Sequence, residues 1–466
     1  MTELWQLGAL ELAEKIRSKE ASSREVLEAH LDRVGQCNED LNAIILLLTD
    51  EARSAADAAD AAIARGDKVG ALHGVPCTIK ENIDVAGTPT TQGVKVLAEA
   101  IASVDAPTTE RMRAAGAIPF GRTNLPDLGL RVHTDSELHG LTRNPWNPHV
   151  TAGGSSGGEA AAIASGMSPI GVGNDIGGSL RNPAHCCGIA SIKPTVGVVP
   201  MATVVPPEDM MLASQLMLAE GPLARRVADV RAGLKILAGH DVRDPRSVPA
   251  ALVESDPSER LKIGLLADPP GGATDPGITA VIRSVADKLD DAGHDIVEVV
   301  PPGYERTVEM WTVVLSGDLR ANRELLDLAL GDDATVFLDS VDDQLPKEFP
   351  DIHSIHLERY GLLRAWSAFH QQYPILLSPT WAQPAFAHGA DIDPTSGFDF
   401  VETVRPVMPS SLLGSPAAIT PAGVSGGLPV GVQVMGDRFA DLLCLTVAEE
   451  IESLVGTLTP IDPITQ

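Results

Sequence analysis

Two glycine–serine runs bracket a short apolar stretch of this chain: Gly153-Gly154-Ser155-Ser156-Gly157-Gly158 before it and Asp175-Ile176-Gly177-Gly178-Ser179-Leu180-Arg181-Asn182-Pro183 after it. Glycine lets a backbone take positive φ angles and pass close to other groups, so both runs read as tight loops. What they enclose is then short and internal. Residues 159–166 read as an alanine-rich buried helix and Ile170-Gly171-Val172-Gly173 as a core strand. Consecutive glycine amides can also converge on one anion. The second run sets the Ser179 hydroxyl beside such amides, the combination needed to stabilise an oxyanion next to a nucleophile.

The rest of the chain bounds what that loop pair can serve. With 466 residues, 44% hydrophobic and 21% charged, it can form two or three average domains or one large α/β domain, and we read one. Lysine and arginine total 35 against 63 acidic residues, a formal net charge of −28. That field repels phosphate backbones and anionic lipid, which argues against nucleic acid and membrane surfaces as partners. Cys37, Cys77, Cys186, Cys187 and Cys444 are odd in number and form no CxxC pair, so they read as reduced, buried thiols. The first residues show neither a basic nor an apolar signal region, and no stretch reaches the roughly 18 apolar residues of a membrane span. The expectation is a cytoplasmic protein.

Along the chain, Ser22 and Glu25 have the spacing of a capping box ahead of the face Val26, Leu27, Leu31 and Val34. With the alanine-rich residues 51–65, this predicts two helices at the start. Gly74-Val75-Pro76-Cys77-Thr78-Ile79-Lys80 predicts a strand with Lys80 near its end, and Ile118-Pro119-Phe120-Gly121 another. Prolines at 126, 145 and 148 and the lack of apolar periodicity make residues 125–152 a long surface loop. Lys262-Ile263-Gly264-Leu265-Leu266, a helix over 278–289 and Ile296-Val297-Glu298-Val299-Val300 form a strand–helix–strand pattern, which implies an α/β fold. Residues 306–371 read as mostly helical with an acidic loop at Asp332-Asp333 and Asp342-Asp343. Ile375-Leu376-Leu377-Ser378-Pro379-Thr380 reads as a buried strand, Leu428-Pro429-Val430-Gly431-Val432-Gln433-Val434-Met435-Gly436 as the strand that closes the sheet, and residues 440–454 as a final helix.

Several motifs are missing. There is no GxxxxGK[ST], and Gly171-Val172-Gly173-Asn174-Asp175-Ile176 lacks the third glycine of GxGxxG, so nucleotide binding has no support. No serine lies three residues before a lysine near these loops, which removes SxxK chemistry. Gly153-Gly154-Ser155-Ser156-Gly157 matches GxSxG, but a nucleophile elbow follows a buried strand, and the proline-broken residues 144–152 precede this one. His353 and His356 are three apart with no third ligand, so they read as surface histidines and no metal is expected. Cys186 and Cys187 read as packing residues near the wall of the site.

Leu72-His73-Gly74-Val75-Pro76, Lys80-Glu81-Asn82-Ile83, Gly121-Arg122-Thr123-Asn124, Arg143-Asn144-Pro145-Trp146-Asn147, the two glycine–serine runs, Lys193-Pro194-Thr195-Val196-Gly197, Ser378-Pro379-Thr380 and Gly427-Leu428-Pro429-Val430-Gly431-Val432-Gln433 together resemble the amidase signature enzymes over most of the chain. The resemblance implies a single large domain with a mixed, twisted central sheet covered by helices on both faces. Within it we divide N-terminal helices (1–65), a catalytic core (66–245), a variable substrate-side segment (246–400) and the sheet closure with its helix (401–466).

The same resemblance implies a Ser-cisSer-Lys triad. The family's two active serines lie as far apart as Ser155 and Ser179, 24 residues, which selects Ser155 over Ser156. Ser179 is then the nucleophile, Ser155 the relay held by a cis peptide after Gly154, and Lys80 the base, its ordinary pKa near 10.4 lowered by burial. The amides of Ile176, Gly177, Gly178 and Ser179 are expected to hold the oxyanion. Ser156, Asp175 and Arg181 are supporting residues, the last two as an ion pair that fixes the loop. Two positions depart from the family's habit: Ala152 stands where proline is common and Ile176 where threonine is common.

Leu128, Gly153, Gly154, Met210 and Met211 are expected to contact substrate. The pocket is expected to come from residues 125–141, 202–215 and 305–400, where Leu130, Leu212, Trp311 and Trp366 also suggest aromatic or alkyl groups. The expected activity is hydrolysis of small aryl or alkyl amides, with carbamates (urethanes) and esters as side substrates. No cofactor is called for, and a homodimer remains open. The alternative within the family is the transamidase subunit that makes Gln-tRNA with partner chains, against which the charge argues. A catalytically dead binding protein is disfavoured because all three triad residues are present.

Overall fold

Pro76-Cys77-Thr78-Ile79-Lys80 is buried at every position, as are Ile118–Thr123 and Ile170–Asp175. Strands of that kind must be covered on both faces, which calls for helical layers on either side of a sheet. The computed structural model describes residues 3–205, 209–249, 252–256, 258–272 and 274–465 and has that architecture.

The early strands are β1 (Ile44–Leu47), β2 (Pro76–Lys80) and β3 (Ile118–Thr123). Four short ones follow, β4 (Asp135–Ser136), β5 (Gly140–Leu141), β6 (Arg143–Asn144) and β7 (Asn147–Thr151). Next come β8 (Ile170–Asp175), β9 (Ala190–Lys193), β10 (Ala219–Ala224), β11 (Lys262–Leu265) and β12 (Asp295–Glu298). The last are β13 (Ile375–Pro379), β14 (Ala417–Ser425) and β15 (Leu428–Gly436). Eleven of them build one mixed sheet in the order β1-β3-β2-β8-β10-β9-β14-β15-β13-β11-β12. β2 runs parallel to both β3 and β8, with Lys80 opposite Thr123. β8 is antiparallel to β10, with Asn174 opposite Glu220.

On one face, Leu12, Leu234, Ile282 and Leu445 from four helices pack with Ile79, Ile192 and Val432 of the sheet. On the other, Leu27, Ala52, Ala161 and Cys187 from four more helices pack with Phe120, Leu223 and Ile419. A third cluster contains Trp311, Phe337, Trp366 and Leu412. It reaches the carboxyl end of β8, where Trp311 Nε1 donates to Ile176 O at 3.4 Å.

The capping box forms as read: Ser22 caps the helix Ser23–Leu41, and Glu25 returns to the Ser22 amide at 2.8 Å. Three expectations change. Residues 125–152 are not a surface loop, because much of the stretch is buried and carries β4 to β7. Its polar side chains bond inward, Thr134 Oγ1 to Gly153 O at 2.8 Å and Arg131 to Asp391 at 2.9 Å. The acidic pairs are not in a loop either. Asp332 and Asp333 open the helix Asp332–Gln344, where negative charge suits the dipole. Asp342, near its end, is offset by Arg320 at 2.6 Å. Finally, β15 does not close the sheet but lies between β14 and β13, as its nearly continuous burial requires. The helix Ala9–Arg17 adds to the two expected at the start.

Candidate active site

Strand β2 ends on Lys80, and the sheet carries that side chain into the interior, where it is fully buried. Its Nζ lies 2.7 Å from Ser155 Oγ and 2.7 Å from Asn174 Oδ1. Asn174 in turn donates to Asn82 Oδ1 at 3.0 Å, so the amide is oriented with its oxygen toward the lysine. Burial pulls the Lys80 ammonium down from its ordinary 10.5 to about 7, while Asp175, Glu159 and Glu220 push the other way.

Ser155 reaches that lysine from the first glycine run, which stands between β7 and the buried helix Gly157–Ala164. The Gly154–Ser155 peptide is cis. Gly154 is needed there because a Cβ would lie 2.6 Å from His133 N. Thr134 holds the turn, donating to Gly153 O and accepting from the Gly157 amide at 3.1 Å. The Ser156 amide donates to Ser179 O at 3.2 Å, tying the two runs together, and its Oγ lies 3.5 Å from Asn174 O.

The second run is organised by Asp175, the last residue of β8. Its Oδ1 accepts from the Gly178 amide at 2.8 Å and its Oδ2 from the Leu180 amide at 3.0 Å. Arg181 grips the same carboxylate with both sides of its fork, at 2.8 and 2.9 Å, and both side chains are completely enclosed. The remaining donors of Arg181 reach Val407 O, Gln433 Oε1 and Ser411 Oγ within 2.9 Å. Burial raises the Asp175 carboxyl, but Arg181 outweighs it and holds the group at about 2. Gly178 has φ +106°, and a Cβ there would meet Trp381 at 2.7 Å.

Of the four amides expected to hold the oxyanion, one is engaged by a neighbouring carboxylate. The Gly178 amide is already taken by Asp175, whereas the amides of Ile176, Gly177 and Ser179 have no partner among the described residues.

Ser155 and Ser179 face one cavity of about 240 Å³. Leu128, Met210 and Met211 line it, with Leu130, Leu315 and Leu319. A recess of about 60 Å³ shares Ile176 and Ser179 with it and ends on Trp311 and Phe337. Gly153 and Gly154 do not line either space, since their neighbours are the backbones of Pro183 and of residues 131–133. Leu212 and Trp366 are also outside the walls; Trp366 belongs to the core behind them. Residues 206–208, within the expected 202–215 segment, lie outside the described residues.

The sequence reading passed over Asn82, Gln92, Asn174 and Glu220, all of which line the cavity. Asn82 stood inside a quoted motif, and Asn174 stood out only as a polar residue ending an apolar strand. The five cysteines are free and buried, and His353 is exposed. Among the described residues, no cluster of histidine, cysteine or acidic side chains is arranged to hold a metal, and no helix is long and apolar enough to cross a membrane.

A family model described as Amidase matches residues 25–445. An indoleacetamide hydrolase of Bradyrhizobium diazoefficiens is 39% identical, over 98% of this chain and 88% of its own length. A glutamyl-tRNA(Gln) amidotransferase subunit of Salinispora arenicola is 31% identical, over 99% of both chains. The solved structure of a bacterial aryl acylamidase of the amidase signature family superposes with a TM-score of 0.83 at 28% identity, covering 97% of each chain.

Proposed function

The chain belongs to the amidase family and hydrolyses amide carbon–nitrogen bonds; we propose that it does so on small aryl or alkyl amides, with Ser179 as nucleophile, Ser155 as relay and Lys80 as base. The observation that carries the proposal is the 2.7 Å contact between a fully buried lysine amine and the Ser155 hydroxyl, in a cavity that Ser179 also lines. A lysine at its ordinary pKa is protonated at neutral pH and cannot accept a proton. At about 7, a large fraction of Lys80 is neutral and ready to do so.

The steps follow. Lys80 Nζ draws the proton of Ser155 Oγ as Ser155 draws that of Ser179, whose oxygen attacks the carbonyl carbon. The amides of Ile176, Gly177 and Ser179 stabilise the oxyanion, each donor contributing about 3 kcal/mol in comparable sites. The proton returns from Lys80 through Ser155 to the leaving nitrogen, the C–N bond breaks, and an ester to Ser179 remains. Water, deprotonated along the same relay, hydrolyses that ester and restores all three groups.

The apolar wall of Leu128, Leu130, Met210 and Met211 and the recess closed by Trp311 favour a flat aryl or alkyl acyl group, such as an arylacetamide. The similarity to an indoleacetamide hydrolase supports the same class. Carbamates and esters pass through the same tetrahedral intermediate and belong to the proposed range. A panel of arylacetamides, anilides, carbamates and esters, assayed with the purified chain alone and without ATP, tests this reading. Turnover of arylacetamides supports it, and no turnover of any member removes it. In that case the similarity to a glutamyl-tRNA(Gln) amidotransferase favours a transamidase role that needs partner chains, although the net charge of −28 is adverse to work beside tRNA.

A further inference from the structure

One enclosed carboxyl group near Lys80 has no part in the relay above. Glu159 stands in the first turn of the helix Gly157–Ala164 and is fully buried. Its Oε1 accepts from Thr78 Oγ1, and its Oε2 accepts from Thr123 Oγ1 at 2.7 Å. The sheet fixes both threonines relative to the lysine. Thr78 precedes Lys80 by two residues in β2, so the two side chains leave the strand on one face. Thr123 is the register partner of Lys80 across the β2–β3 ladder and shares that face. Space for the carboxylate comes from Gly171 of β8, the register partner of Thr78, where a Cβ would lie 1.7 Å from Glu159 Oε1. Three strands, and the helix that follows Ser155, are thus shaped around one acid.

We propose that Glu159 is a positioning residue for the reaction: clamped by Thr78 and Thr123 on the face of the sheet that carries Lys80, it places a carboxylate in the lysine's surroundings and so supports proton transfer from Ser155. The proposal rests on the assignment of Lys80 as base. A buried amine with no negative neighbour becomes too weak a base, and proton transfer slows as its proton affinity falls. Other charges surround the pair. Asp175 on β8 is held by Arg181, Glu220 on β10 accepts from Thr108 Oγ1 at 2.6 Å, and Arg225 donates to Ser168 O at 3.0 Å. Ser168 lies against Thr78, with its own hydroxyl directed to Ile170 O. Glu159 is the charge bonded to both threonines beside the lysine. Burial raises its carboxyl to about 7, against the opposing pull of Thr78, Thr123 and Lys80.

The test is the pH dependence of kcat/KM, from about pH 5 to pH 10, in Glu159→Gln and Thr123→Val. The first keeps the size of the side chain and removes the charge; the second removes one clamp. In Glu159→Gln the acid limb is expected to move down by about one pH unit or more and plateau kcat to fall about tenfold, with KM changed less than about threefold. Thr123→Val is expected to give a smaller displacement of the same sign. An acid limb unmoved in a folded Glu159→Gln, or in Thr123→Val if the first variant does not fold, overturns the proposal. Lys80→Ala separates the two readings. Turnover retained there removes the base and this proposal with it, whereas an inactive Lys80→Ala with an unmoved limb in Glu159→Gln overturns the role of Glu159 alone.

Discussion

Two lysines end strands of the central sheet, Lys80 on β2 and Lys193 on β9, and burial pulls both ammonium groups from 10.5 to about 7. Their surroundings differ. Lys80 touches a serine hydroxyl and an asparagine amide, and both of those residues line the cavity. Lys193 Nζ reaches Pro194 O at 3.0 Å, with Asp175 and Asp441 near enough to raise its proton affinity and Arg181 to lower it. It lines neither the cavity nor its recess. A depressed lysine pKa is therefore what burial does to any amine. What turns one into a candidate base is a proton donor within hydrogen-bond distance and a path to substrate.

The comparison breaks most directly on turnover. Lys80→Ala and Ser179→Ala are each expected to lower kcat at least about 10⁴-fold on an arylacetamide, with wild-type melting behaviour, because groups that act as one relay fail together. If Lys80→Ala turned substrate over no more slowly than Lys193→Met, the distinction between the two lysines would have no chemical content.

Asp175 acts on both lysines and is the next lever. Asp175→Asn leaves Arg181 charged, enclosed and without its carboxylate, which is expected to cost roughly 3–5 kcal/mol of stability in urea unfolding. Asp175 is held at about 2 in the fold against an ordinary 3.8. Its contribution is thus complete above the higher value and is lost as pH falls toward the lower. The difference between variant and wild type should shrink in acid over that window. A constant difference would mean that the loop, rather than the charge, carries the effect.

A smaller, purely functional difference is expected in the pH profile. As the proposed base, Lys80 would have to act in its neutral form, so kcat/KM should rise with pH, tenfold per unit well below about 7 and levelling above it. Lys193→Met should leave that limb in place to within about half a unit, since it removes a charge that has no contact with Ser155. A limb governed by Lys193 would show the opposite pattern.

Lys80, Ser155 and Ser179 were legible as candidates through the resemblance of their local motifs to the amidase signature enzymes. Glycine flanks the serines, and small and apolar residues alternate up to the lysine. The capping box at Ser22 and the helices and strands from 262 to 300 were legible because their patterns are local. What was not legible came from partners distant in the chain. Asn174 becomes important only when β8 pairs with β2 and brings Lys80 against it. The engagement of the Gly178 amide depends on Asp175 accepting it, a bond that composition does not announce. Residues 125–152 looked exposed because proline and polar side chains usually lie outside, yet here Thr134 and Arg131 satisfy backbone and acid groups beneath the cis loop.

The gentlest way to sharpen the comparison is Lys193→Met, which keeps the length of the side chain and discards its amine. A buried ion replaced by an apolar side chain of similar volume is often neutral or stabilising, so the change at pH 7 is expected to lie within about 1 kcal/mol, on the stabilising side. The sign has a pH signature. The folded protein binds the Lys193 proton less tightly than the unfolded chain, so the wild type carries the full cost of burial below about 7 and sheds it as pH climbs to 10.5. The stability of the variant relative to wild type should therefore fall between those values, measured by urea unfolding at several pH values. Asp441 opposes this trend through its attraction to the lysine, but its carboxylate keeps the amide and hydroxyl of Thr195 at 2.8 and 2.7 Å when the amine is gone. Were the variant instead to lose both stability and turnover, the amine on β9 would belong to the same working network as the one on β2, and their difference in contacts would not be a difference in role.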